Sequence, residues 1–243
     1  LVRYALVLGF LPATLHTLGV VFMRYQAAQN GIDLAEMGDI ADPASHLGYV
    51  FGYQLWFFVS AVALGAGSTV VVQDAQWKTF PFYFAKPVLP EHYLVGRVSA
   101  IFVLCFALFA IPSVLLTLGF AMVSTNGDEL VSNLLFLPKV LFLSALEALV
   151  LSAASVALSA LGRTRALSMS AFIALFVVPT IVGGLLSAKF ESPWFSYVSL
   201  PLLFDAVEKR LLVGRDAVEI GMPDVYTALV ALALYAAGSI AFL

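Results

Sequence analysis

Few side chains in this sequence can carry chemistry, and several of them stand in apolar surroundings. Glu147 lies in Ser144-Ala145-Leu146-Glu147-Ala148-Leu149, near the middle of a long apolar run, and His16 and Gln54 stand inside two others. An ionisable group at that depth costs on the order of 3 kcal/mol even on insertion scales, so it must face the protein interior or a wet cavity. A carboxyl and an imidazole so placed, with Gln54 as a third polar group, form a candidate translocation pathway or proton relay. The plainer reading of each is a hydrogen bond between spans. Enzymatic patterns are missing. His16, His46 and His92 are widely separated in sequence and make no His-Glu-x-x-His motif, no Gly-x-Ser-x-Gly elbow occurs, and no Gly-rich loop ends in Gly-Lys-Ser or Gly-Lys-Thr to cradle phosphates. The single cysteine, Cys105, rules out an internal disulfide and a cysteine metal cluster. Inside the run from Ile101 to Ile111 it reads as a small buried apolar residue. No catalytic, cofactor or metal site is therefore expected on this chain.

The elements that must position these groups are membrane spans. The 243 residues are 62% hydrophobic and 11% charged, about half the charge of a soluble chain. The net charge of −3 supports no nucleic-acid binding. Apolar runs of about 20 residues or more recur along the whole length, which makes the chain a polytopic helical membrane protein in contact with the lipid bilayer. Six spans are expected: about Val2 to Met23, Leu47 to Val72, Tyr93 to Val123, Leu134 to Leu161, Ala166 to Ser187 and Asp224 to Leu243. Pro12, Pro112 and Pro179 fall inside spans, and Pro112 marks a kink. The Gly48-x-x-x-Gly52 pair and the run of Ser152, Ala153, Ala154, Ser155, Ala157, Ser159 and Ala160 are small-residue surfaces that let helices approach closely. The fold class is all-α membrane protein, read as one transmembrane domain over 1–243, and a cytoplasmic segment is expected ahead of Leu1.

Orientation follows from the cations. Lys78, Lys86 and Arg97 cluster on one side of the third span, at its start, and Arg163 with Arg165 follows the fourth. The loops after the first and third spans hold acids and no bases, Asp128 and Glu129 in the second of them. The positive-inside rule then places both termini, the segment 73–92 and the Arg163 loop in the cytoplasm. The stretch 188–223 falls outside. There Ser199 caps a helix with Pro201 in its first turn, Gly214 closes it, and Leu203, Val207 and Leu211 recur at helical spacing. This reads as a short extracellular amphipathic helix lying on or dipping into the outer leaflet.

Segment 73–92 is the unusual one. It runs Gln73-Asp74-Ala75-Gln76-Trp77-Lys78-Thr79-Phe80-Pro81-Phe82-Tyr83-Phe84-Ala85-Lys86-Pro87-Val88 and leads into Tyr93-Leu94-Val95-Gly96-Arg97. With Pro81 in its first turn and Pro87 at its end, a helix here spans about two turns. Phe80, Tyr83 and Phe84 then share a face turned to the bases of the spans, and Phe82 points away between Lys78 and Lys86. An exposed aromatic between two cations reads either as a docking knob or as an anchor at headgroup depth.

In order and spacing, Asp74, Lys78-Thr79-Phe80, Phe84-Ala85-Lys86-Pro87-Val88 and Tyr93-Leu94-Val95-Gly96-Arg97 resemble the connection between the second and third spans of type-2 ABC transporter permeases. Lys78 stands where that family usually has glycine, and Pro81 is an insertion in the helix. The resemblance implies that this stretch is a short cytoplasmic coupling helix seated in a groove of a separate ATPase subunit, with Asp74, Lys78, Thr79, Phe82, Lys86 and Pro87 at the contact. It further implies two permeases, as homo- or heterodimer, and two ATPases, with ATP and Mg bound by the ATPase partner rather than by this chain. The expected function is that of a transmembrane subunit of an ATP-driven exporter. The expected location is the plasma (inner) membrane of a bacterium, multi-pass. The rival reading is an ion- or proton-coupled secondary carrier relying on Glu147 and His16.

Overall fold

The computed structural model describes residues 2–32, 42–85, 89–214 and 223–241. Helices joined by short turns make up the described residues, and no strand occurs among them. The first helix, α1 (Val2–Gln29), carries Pro12 inside it. It runs past Met23 and stops where Gly31 takes φ +67. There Ile32 N–H donates to the Ala27 carbonyl and Gly31 N–H to that of Ala28, closing the helix with the left-handed glycine of a Schellman cap.

The second span is one apolar helical rod, Pro43–Gln76, with several irregularities. It opens with α2 (Pro43–Tyr53), capped by the Asp42 carboxylate, which accepts from Ala44 and Ser45 N–H. A π-helical stretch follows over Gln54–Val59, then α3 (Ser60–Gly65), a 3₁₀ turn over Gly67–Thr69 and α4 (Val70–Gln76). The break at Gly67 is a packing requirement. A Cβ there would lie 2.2 Å from Ser155 Oγ, so the fourth span approaches the bare backbone. Beyond the break, Val71 and Val72 N–H both donate to Ser159 Oγ, at 2.9 and 3.2 Å. The serine-rich surface of the fourth span thus satisfies backbone donors that the irregularity releases.

The next element is α5 (Phe80–Phe84), followed by the long third span α6 (Pro90–Met122), which keeps Pro112 inside it. The expected loop after it contains another helix. α7 (Gly127–Leu134) is capped by Asn126, whose Oδ1 accepts from Glu129 N–H, while Glu129 reaches back to Thr125 N–H. This reciprocal arrangement is a capping box in all but one register position. Leu135 joins α7 to α8 (Phe136–Leu161), the fourth span. The fifth, α9 (Arg165–Phe190), is capped by Thr164 and ends where Glu191 takes a left-handed φ of 51.

A 3₁₀ turn over Pro193–Val198 leads to α10 (Leu200–Glu208), capped by Ser199 and extended by a π turn over Lys209–Val213 that Gly214 closes at φ +74. The caps fall where the sequence places them. α10 does not simply lie on a surface, however: Leu200, Leu203, Phe204, Ala206 and Val207 are all essentially inaccessible, and the helix packs among α8, α9 and the final helix, α11 (Val225–Ala241).

Among the described residues five helices are long and apolar enough to cross a membrane, and α11 is a shorter apolar helix of 17 residues. The chain is a multi-pass membrane protein. The core is the seam of α6 and α8, where Cys105, Leu108, Phe109 and Leu116 meet Val140, Leu143, Val150 and Leu151. Lipid is as apolar as leucine, so this seam is held by close packing rather than by expulsion of water.

Candidate functional site

The last turn of the second span and the first turns of the third make a compact polar and aromatic cluster. Asp74 sits on α4, within the span rather than in a connection beyond it, and is buried. Its Oδ2 accepts short hydrogen bonds from Tyr93 Oη and from Arg97 Nη2, both on α6. Arg97 Nη2 also donates to Tyr83 Oη on α5, at 2.9 Å. The guanidinium lies 5.6 Å from the Tyr83 ring centroid and 5.2 Å from that of Tyr93. Phe80 meets Tyr93 edge-on, with centroids 5.7 Å apart. One cation therefore collects a carboxylate and two phenols from three helices, and the burial of Asp74 makes its contacts stronger than they would be in water.

The backbone between these anchors is tightly folded. Thr79 N–H and its Oγ1 both donate to the Asp74 carbonyl, at 3.0 Å. Lys78, exposed at the tip, takes φ 56. A left-handed residue is ordinarily glycine, because a Cβ there crowds the carbonyl. α5 consequently starts only at Phe80 and is five residues long, shorter than the two turns expected. Beside it Trp77 is exposed, and the Arg165 guanidinium stands 5.2 Å from its ring. The two basic connections thus lie at one end of the bundle. At the other, Arg24 of α1 is ion-paired with Glu129 of α7 at 2.6 Å.

Comparison with protein families matches a family model described as ABC-2 family transporter protein to residues 9–197. The chain belongs to the ABC-2 transporter family. No curated protein and no solved structure matches it. The match spans the Asp74–Arg97 cluster and the first five long helices of this ABC-2 chain, which makes it a membrane transporter subunit.

Of the expected contact residues of the ABC-2 chain, Lys78 is exposed and Thr79 half-buried, whereas Asp74 is committed inward to Tyr93 and Arg97. Phe80 and Tyr83 turn to the base of α6, as the helical face requires. Lys86 and Pro87 lie outside the described residues, as do the side chains of Phe82 and Phe84.

The intramembrane groups are not brought together as a relay. Gln54, fully buried at the start of the π-helical stretch, donates to the Gly9 carbonyl at 2.9 Å and so pins α1 to the second span. His16 Nε2 lies 3.2 Å from His46 Nδ1, a pairing that a separation of 30 positions conceals. Glu147 is fully buried in α8, and both of its carboxyl oxygens lack a hydrogen-bond partner among the described residues. The Glu208 carboxyl of α10 lies beside it. The sequence identifies Glu147 as out of place but offers no signal for Glu208, which sits in a mixed-charge stretch that reads as exposed. Glu147 and His16 thus have different neighbours, and the secondary-carrier reading is not favoured. Among the described residues no group of three or more histidine, cysteine or acidic side chains is placed to hold a metal ion.

Proposed function

We propose that this chain is the transmembrane subunit of an ATP-driven exporter, working as a dimer with separate cytoplasmic ATPase subunits. Segment 73–92 is then the coupling element, with Lys78, Thr79, Phe82, Lys86 and Pro87 facing the ATPase and Asp74 holding the segment in place from within. ATP and Mg belong to the partner, and the chemistry of hydrolysis with them. The termini and the basic connections face the cytoplasm of a bacterium, and α11 completes six crossings.

The observation that carries this reading is the Arg97 cluster. It ties α5 to the ends of both the second and third spans, so a push on the exposed tip is delivered to two spans at once. Discrete packed contacts of this kind transmit displacement because they do not deform continuously. The test is co-purification of the full chain with a phosphate-loop ATPase and measurement of transport per ATP hydrolysed. Phe82→Asp should lower coupling at least tenfold while the chain remains folded and membrane-inserted. Normal coupling in that variant removes the docking assignment.

A further inference from the structure

Two cavities adjoin along the N-terminal half of the second span. One, of about 320 Å³, is lined by Ser45, Gly48 and Tyr49 of α2 and by Asp205, Glu208 and Lys209 of the α10 region. The second, about 530 Å³, continues from the shared Gly48 and Tyr49 along Gly52, Tyr53, Trp56 and Phe57. A Cβ built at Gly48 or Gly52 meets nothing within 4 Å, so the glycines leave the channel open. The result is one groove with a polar, acidic head and an apolar, aromatic tail.

The charges at the head do not cancel. Lys209 is paired with Asp205 at 3.2 Å and also acts on Glu208, so two carboxyl groups in the wall face one ammonium. Behind Glu208 lies Glu147, fully buried and interacting with the Glu208 carboxyl. Asp42, which caps α2, accepts from Ala44 and Ser45 N–H and from the Ser45 hydroxyl, the two residues next along the wall. Two adjacent buried carboxyl groups repel each other when both are ionised, and an unpaired buried charge is costly, so a positive group beside them is favoured. Tyr49, largely exposed on the lip, offers an aromatic face suited to a cation.

We propose that this groove binds a single-chain amphiphile with a cationic ammonium head, the head beside Glu208 and Glu147 and the tail along Gly48, Gly52 and Trp56. The combined volume is within the range of sites for drug-sized ligands. The claim concerns binding, so it stands or falls separately from the coupling of transport to ATP.

The experiment uses the full chain in nanodiscs of zwitterionic lipid, with calorimetric titration of decyltrimethylammonium against empty nanodiscs. Decyl sulfate and tetramethylammonium serve as controls for head charge and for tail. Saturable binding of decyltrimethylammonium alone is expected, weakened at least tenfold by Glu208→Gln, by Glu147→Gln and by Gly52→Leu, which fills the tail groove. Equal binding of decyl sulfate overturns the acidic head, and equal binding of tetramethylammonium overturns the tail. Absence of saturable binding to the unmodified chain overturns the site. The two control ligands act on the unmodified protein, so the outcome does not depend on any variant folding.

Discussion

Arg97 of the third span reaches across to the buried carboxylate of Asp74 at the end of the second, and the same nitrogen holds the Tyr83 hydroxyl of the short helix between them. The ion pair is largely shielded on the aspartate side and partly open on the arginine side. Its strength lies in shared partners rather than in the pair alone, since exposed pairs contribute little.

Asp74→Ala should therefore destabilise the chain by about 2 kcal/mol, the range for hydrogen bonds to charged groups. Arg97→Lys should lose part of that, because lysine keeps the charge but not the planar fork that meets carboxylate and ring faces. Thermal unfolding in detergent of both single variants and of the double variant checks this. The double variant should cost little more than Asp74→Ala alone, less than the sum of the two single changes. Additive effects would remove the clamp.

The left-handed backbone at Lys78 is a local strain of about 1 kcal/mol. Lys78→Gly should relieve it and reduce proteolytic nicking between Trp77 and Phe80, while Lys78→Val should increase nicking. If Lys78→Gly also weakens ATPase co-purification, the ammonium itself is used by the partner. Limited proteolysis and co-purification are thus read together.

Gly67→Ala places a methyl group against Ser155 Oγ and Cβ, at 2.2 and 2.7 Å. Overpacking of that order costs about 1–3 kcal/mol. Ser155→Gly should restore most of the loss when combined with Gly67→Ala. Failure of this rescue in thermal melts would mean that the second and fourth spans do not meet at this point.

Arg24 is buried and joins α1 to α7 through Glu129. Glu129→Gln should cost about 1.5–3 kcal/mol. Hydrogen exchange should then rise over residues 125–134, because the capping contact of Glu129 with Thr125 is weakened at the same time.

The fold class was legible in the sequence because lipid imposes one strong rule: spanning segments are long, apolar and helical, and each leaves a run that can be counted. Caps were legible for a similar local reason. Ser199 with Pro201 and Gly214 marks its helix wherever that helix packs. Span ends were less so. α1 continues to Gln29, the second span to Gln76, and a helix occupies the Asp128–Glu129 loop, because polar residues at a headgroup boundary extend a helix without changing its pattern.

The site divides in the same way. The sequence by itself determined that the segment 73–97 is the polar break in an apolar chain, and that Glu147 is an ionisable group within a span. Tertiary structure alone decided that Asp74 turns inward to Tyr93 and Arg97, that His16 meets His46 rather than Glu147, and that Glu147 stands beside Glu208. Composition and periodicity report what each helix presents to its surroundings, lipid above all. Pairings between side chains tens of residues apart depend on how the helices are rotated and where they stop, which is settled by packing of small residues such as Gly67 against Ser155 and leaves no periodic signal in either segment.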